Sequence, residues 1–224
     1  MPSLQRETPE MALKSRTQAP YLLRLEEVGK YYSRTLLFKN ISFELRSGDV
    51  LAVTGWNGSG KSTLMRIVAG LIRPSSGSVS MYYQDEVVPA ESRRRFIGMV
   101  APALSLYDEL TAIENMVFFC KVRGVESRED TCREILQLVG LDDHAHKLSG
   151  RYSSGMKQRL KLAQALLHHP PLLLLDEPGT NLDSKGMQIV RDIIEKQKAW
   201  GMTVIASNEK REVDYADRII NLSE

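Results

Sequence analysis

The chain has 224 residues, enough for one α/β domain or one core with a small inserted subdomain, and too few for two full domains. With 30 basic and 28 acidic residues the net charge is +2, which gives no field suited to wrapping nucleic acid, so no direct nucleic-acid partner is expected. The longest aliphatic run, Leu172 to Leu175, is far below the ~18 residues of a membrane span, and the N-terminus lacks the apolar centre of a signal peptide, which predicts a cytoplasmic chain.

Residues 1–19 mix charges with Pro, Ser and Thr without apolar period and read as a flexible tail. Val50 to Thr54 then reads as a short buried strand, and Leu64, Ile67, Val68 and Leu71 fall on one face of a helix. Between them "GWNGSGKS" matches G-x-x-x-x-G-K-[ST] from Gly55 to Ser62, where glycines let backbone N–H groups surround an anion at a helix start. In such a loop Lys61 reaches the β- and γ-phosphates and the Ser62 hydroxyl joins a Mg²⁺ shell. Only backbone is needed at Trp56, so its side chain is expected to point away from the phosphates.

Further along, "SRRRF" (Ser92 to Phe96) reads as a solvated edge. Cys120 falls in line with Ile113, Met116 and Val117, and Cys132 with Ile135, Leu136 and Val139, so both thiols read as core residues of a protein in a reducing compartment. The pairs His144/His146 and His168/His169 lack carboxylate or cysteine partners at ligand spacing and read as solvated loop residues.

In "GRYSSGMKQRLKLAQALL", Ser153 and Ser154 stand at the N-cap, Gly155 allows close approach, and Met156, Leu160, Ala163 and Leu167 form an apolar stripe. This makes a second helix N-terminus suited to phosphate. "PPLLLLDEPGTNLD" is a continuous apolar run ending in Asp176 and Glu177, as in a parallel strand buried on both faces, and such sheets bind ligands beyond the carboxyl ends of their strands. Asp176 suits holding the water shell of Mg²⁺, and Glu177 suits polarising the attacking water.

In order and spacing these motifs resemble the ATP-binding cassette (ABC) family over residues 21 to 223. The resemblance implies an α/β P-loop NTPase core with a mostly parallel sheet, an N-terminal antiparallel β subdomain and an inserted α-helical subdomain at about 104–155, all within residues 20–224. It implies ATP bound by Gly55, Trp56, Asn57, Gly58, Ser59, Gly60, Lys61, Ser62 and Thr63, with Mg²⁺ on Ser62 and Asp176. Tyr32 matches the aromatic that stacks on adenine. Two cassettes of the family pair head to tail, as homodimer or heterodimer, so Ser153, Ser154 and Gly155 of one would cap the γ-phosphate held by Lys61 of the other, with Asp183 communicating across the dimer.

Two positions depart from the family pattern. Pro102 stands where a glutamine usually touches Mg²⁺ and water, and Asn208 stands where a histidine usually holds the γ-phosphate. Asn offers only a neutral hydrogen bond, and charge-assisted ones are stronger, so nucleotide binding is expected intact and hydrolysis slower or differently coupled, with Lys61, Glu177 and Asn208 serving the reaction.

A DNA-repair ATPase of this superfamily would need long coiled-coil arms, a translation-factor cassette would carry two copies, and a small-molecule kinase has no use for the signature helix. The resemblance therefore implies the ATPase subunit of a transporter, held at the cytoplasmic face of the membrane by a separate spanning subunit. Its look is nearest the haem-exporter group of cytochrome c biogenesis. Exporters of drug, lipid or polysaccharide, or a soluble ABC ATPase with a regulatory or nucleic-acid role, are the alternatives. The membrane subunit would dock on Leu104 to Arg123, where Tyr107, Leu110, Met116 and Phe119 are candidates for its groove, with core packing as the competing reading.

Overall fold

A computed structural model describes residues 21–33, 35–126 and 128–223, so the tail expected at 1–19 lies outside the described residues. Two sheets organise the chain. In the first, β1 (Tyr21–Tyr32) pairs antiparallel with β2 (Thr35–Arg46) and with β4 (Ser76–Tyr83), and β4 pairs with β5 (Glu86–Val87), in the order β2-β1-β4-β5. Leu23 and Leu25 face the core on the even period of a strand, and a register shift between Leu25 and Val28, where Glu27 takes φ 49°, brings Val28 to the same side.

The second sheet is wholly parallel, with β6 (Ile97–Val100), β7 (Leu172–Asp176), β8 (Met202–Ala206), β3 (Val50–Thr54) and β9 (Arg218–Asn221) as neighbours in that order. Its central strands β7, β8 and β3 are short, mostly apolar and buried on both faces, while the edge strand β9 is largely exposed. In β7, Leu173 and Leu175 enter a core shared with α2 (Ala112–Arg123), α3 (Glu129–Leu138), α4 (Ser154–Leu166) and α5 (Ser184–Gln197). Leu172 and Leu174 enter a second core formed with α1 (Lys61–Val68) and the first sheet. Each of these leucines is fully buried, worth about 1.5–3 kcal/mol apiece.

Three helix starts among the described residues are capped by side chains. Thr111 and Glu114 form a reciprocal capping box at α2, Ser153 Oγ accepts the Met156 N–H at α4, and Asp183 Oδ1 accepts the Gly186 N–H at α5. The decisive placement for function is the register of β7, β8 and β3: Asp176 lies opposite Ala206, and Ala206 opposite Val53. Three parallel strands therefore end at one edge and release Gly55, Glu177 and Ser207 side by side.

Three readings of the sequence are corrected. The α1 stripe stops at Val68, and Leu71 lies beyond it, exposed. Arg93 of "SRRRF" is buried rather than solvated: it donates to the Val79 carbonyl at 2.7 Å beside Gly70, and burial pulls its pKa below the usual arginine value. His168 is partly buried against Arg123 (3.2 Å), and burial, with Arg123 beside it, lowers its pKa to about 4. Cys120 and Cys132 are core residues as read, their Sγ atoms 4.0 Å apart. No cluster of three or more His, Cys, Asp or Glu able to hold a metal occurs among the described residues.

Candidate nucleotide site

The loop after β3 is shaped by backbone that side chains disfavour. Gly55, Gly58 and Gly60 have φ of 144°, 93° and 104°, and a Cβ at Gly60 would stand 2.7 Å from side-chain atoms of Leu37 and Phe38. Lys61, the first residue of α1, is only 7% exposed, and its Nζ donates to the carbonyls of Gly55 (2.6 Å) and Trp56 (3.3 Å). The loop thus closes over its own lysine. Ser59 is buried, its hydroxyl without a hydrogen-bond partner among the described residues, while Ser62 and Thr63 occupy the first turn of α1. Trp56 is 64% exposed and takes part through its backbone, its N–H donating to Ser223 Oγ (3.2 Å) and its carbonyl accepting from Ser59 N–H (3.0 Å).

Asp176 closes β7 as a buried carboxylate. Burial raises its pKa, and a hydrogen bond with the Ser62 hydroxyl opposes that rise. One hydroxyl and one carboxylate side by side form a hard-oxygen pair that fits Mg²⁺, which binds through few protein oxygens plus water and phosphate. The next residue turns away: Glu177 has φ 50°, its N–H donates to the Ala206 carbonyl (2.9 Å), and a left-handed non-glycine residue of this kind costs about 1–3 kcal/mol. Glu177 lines a cavity of about 500 Å³ together with Asn57, Gly179, Ser207, Asn208 and Glu212.

Asn208 is not simply a free donor at this cavity, since its Oδ1 accepts the Gly55 N–H at 3.1 Å. Pro102 is exposed, and its carbonyl accepts from Lys161 Nζ of α4 at 3.3 Å. Tyr32 ends β1 with its ring 52% exposed and the Lys30 ammonium 5.1 Å from the ring centroid. Ser153 and Ser154 are exposed at the start of α4 and are not among the residues lining the cavity. Gly155 does allow a close approach, of its own chain: a Cβ there would stand 2.9 Å from the Asn181 carbonyl oxygen. Asp183 is exposed while capping α5.

The sequence reading missed two buried polar side chains next to Glu177, Gln158 and Glu212. A signal was available for the first. Gln158 shares a helical row with Leu162 and Ala165, where the period of α4 calls for an apolar residue.

The ABC transporter family model matches residues 38–180. The chain belongs to the ABC transporter family. This ABC cassette is similar to the bacitracin transport ATP-binding protein BcrA of Bacillus licheniformis, at 34% identity over 84% of this chain and 61% of BcrA. It is also similar to the linearmycin resistance ATP-binding protein LnrL of Bacillus subtilis, at 34% over 88% of this chain and 65% of LnrL. The lantibiotic transport ATP-binding protein SrtF of Streptococcus pyogenes is 37% identical over 84% of this chain and 80% of SrtF. The cassette thus spans less than two thirds of BcrA and LnrL. Among solved structures it resembles the dimeric bacterial ABC transporter cassette MJ0796, with a TM-score of 0.75 and 27% identity over 90% of this chain and 94% of that one. The post-hydrolysis state of MJ0796 bound to ADP and Pi also gives 0.75, at 28% identity. The expected tie to haem export is not supported by these relatives, whose names attach to antibiotics. No helix of the described residues is long and apolar enough to cross a membrane.

Proposed function

We propose that this chain is the ATP-hydrolysing subunit of a transporter that exports antimicrobial peptides or similar antibiotics through a separate membrane-spanning subunit, at the cytoplasmic face of the membrane. The observation that carries the hydrolytic half is the convergence of the phosphate loop, the Ser62–Asp176 pair and Glu177 at neighbouring strand ends. The names of BcrA and SrtF support the export half.

On this reading Lys61 exchanges its carbonyl partners for the β- and γ-phosphates, and Ser62 and Asp176 hold Mg²⁺. The ion, when bound, neutralises charge on the phosphate oxygens. Glu177 accepts a proton from the water whose oxygen bonds to the γ-phosphorus as the bond to the bridging oxygen breaks and ADP leaves. Asn208 turns an amide N–H toward the γ-phosphate, and Tyr32 offers its ring to adenine. Ser153, Ser154 and Gly155 of a second copy complete the site, with Asp183 at the junction.

Residues 104–155 form the helical subdomain on which the membrane subunit docks. Tyr107 is exposed and clusters with Phe118 (4.7 Å) and Phe119 (5.9 Å), which suits a receiving surface. Met116 is fully buried and drops out of it.

Steady-state turnover of the wild type and of Glu177→Gln, with light scattering in ATP, tests the hydrolytic half. Loss of turnover with accumulation of an ATP-dependent dimer is expected, and a variant that hydrolyses normally sinks the assignment. Deleting the chain from its host should raise susceptibility to peptide antibiotics, and unchanged susceptibility sinks the export half.

A further inference from the structure

The loop from Pro178 to Leu182 joins β7 to α5, and two buried polar side chains hold it from different elements. Gln158 of α4 is 8% exposed and donates through Nε2 to the Pro178 carbonyl at 2.9 Å, with the Glu177 carbonyl at 3.4 Å. Glu212, in the short helix α6 (Lys210–Val213), is 2% exposed, and its Oε1 accepts the Gly179 N–H at 2.6 Å. Proline has no N–H, so the carbonyl is the polar handle available at Pro178. Gly179 fits between its neighbours only because it lacks a Cβ, which would collide with Glu212 Oε1 and Met187 Sδ.

A buried acid is an expensive way to fill space. Burial raises the pKa of Glu212, while hydrogen bonds from Ser207 and the Gly179 N–H oppose the rise, and its Oε2 has no hydrogen-bond partner among the described residues. An apolar side chain would pack there without that penalty, whereas a carboxylate aimed at one backbone N–H sets that peptide's position.

We infer that Gln158 and Glu212 are positioning residues that clamp the loop after Glu177 from both sides and so maintain its left-handed backbone and the aim of its carboxylate. The inference rests on the reading of Glu177 as the group that activates water. Since Gln158 sits one turn after Ser153 to Gly155 on α4, the clamp also ties the start of that helix to the Glu177 of the same chain.

Amide hydrogen exchange across residues 177–183 of the full chain without nucleotide reads the clamp directly and needs no turnover. Glu212→Ala and Gln158→Ala should each speed exchange there by about tenfold or more while β7 and β8 stay protected, and Glu212→Gln, which keeps an acceptor oxygen for Gly179, should restore slow exchange. In turnover, both alanine variants should lose about tenfold or more in kcat with ATP affinity held within about twofold, and Glu212→Gln should recover most of the loss.

Unchanged exchange at 177–183 in both alanine variants overturns the clamp. So does a joint loss of nucleotide binding and melting temperature that Glu212→Gln fails to recover, the mark of a merely structural acid. A wild type that does not hydrolyse ATP while exchange responds as stated overturns the ATPase reading and leaves the clamp standing.

Discussion

Asn208 Oδ1 accepts the Gly55 N–H at 3.1 Å, so the residue that follows β8 is hydrogen-bonded to the loop that follows β3. Its acceptor is engaged, and only the amide N–H groups are left to meet a phosphate. A neutral imidazole in its place can accept from Gly55 through one nitrogen and donate through the other, whereas an imidazolium has two donors and no acceptor. Asn208→His should therefore raise kcat by about threefold near pH ~8, with the gain shrinking below about pH 6.5 as the Gly55 bond is given up. ATPase rates of both proteins across that range check this, and a gain that grows toward acid pH would show that the Gly55 bond is dispensable.

Lys61 exchanges two carbonyl partners for phosphate oxygens only if a nucleotide enters the loop. Lys61→Ala should weaken ATP binding by about 10–100-fold, the size of one or two charge-assisted hydrogen bonds. Equilibrium titration with a fluorescent ATP analogue measures it, and unchanged affinity would remove the loop from the site.

His168 predicts a pH dependence of stability. Its folded pKa of about 4 lies below the ordinary 6.5, so the unfolded chain takes up the proton first. The stability held by the neutral ring is complete above pH 6.5 and is lost as the pH falls toward 4, by about 3 kcal/mol in the limit. Urea unfolding of wild type and His168→Gln from pH ~7.5 to ~5 isolates this share, because other titrating groups act equally in both. Parallel pH profiles for the two proteins would refute it.

The thiols offer a fourth check. Burial, then the neighbouring Cys120, pushes Cys132 up to about 12, and burial raises Cys120 as well. Thiolate is the reactive form, so an aromatic disulfide reagent near pH ~8 should label neither residue in the native protein and both after unfolding. Rapid native labelling would mean that α2 and α3 open readily.

The strands β3 and β7 and the helices α1 and α4 were legible because each carries a local signature: a glycine loop, an unbroken leucine run, a serine cap before a periodic stripe. Asp176 and Glu177 could be assigned to a strand end for the same reason, while the hydrogen bond between Asp176 and Ser62 appears only in the structure. Periodicity says nothing about partners distant in sequence. The bond from Asn208 to Gly55 spans 153 residues, and that from Glu212 to Gly179 spans 33, so neither leaves a pattern in any window of sequence. Arg93 was misread for a related reason: in a run of three arginines, tertiary packing alone decides which one is buried.

The order β7-β8-β3 has a temporal consequence. β3 ends at residue 54, yet its neighbour β8 does not begin until residue 202, so the phosphate loop emerges from the ribosome long before the strand that flanks it. Closing so long a loop is entropically slow, and parallel pairing rewards it only at the end. During synthesis the glycine-rich segment must wait as an unsupported turn, and nucleotide can favour the native state only once the last third of the chain has joined the sheet. ATP is then a late ligand in the life of this polypeptide, able to select finished molecules and unable to guide the early steps of their making.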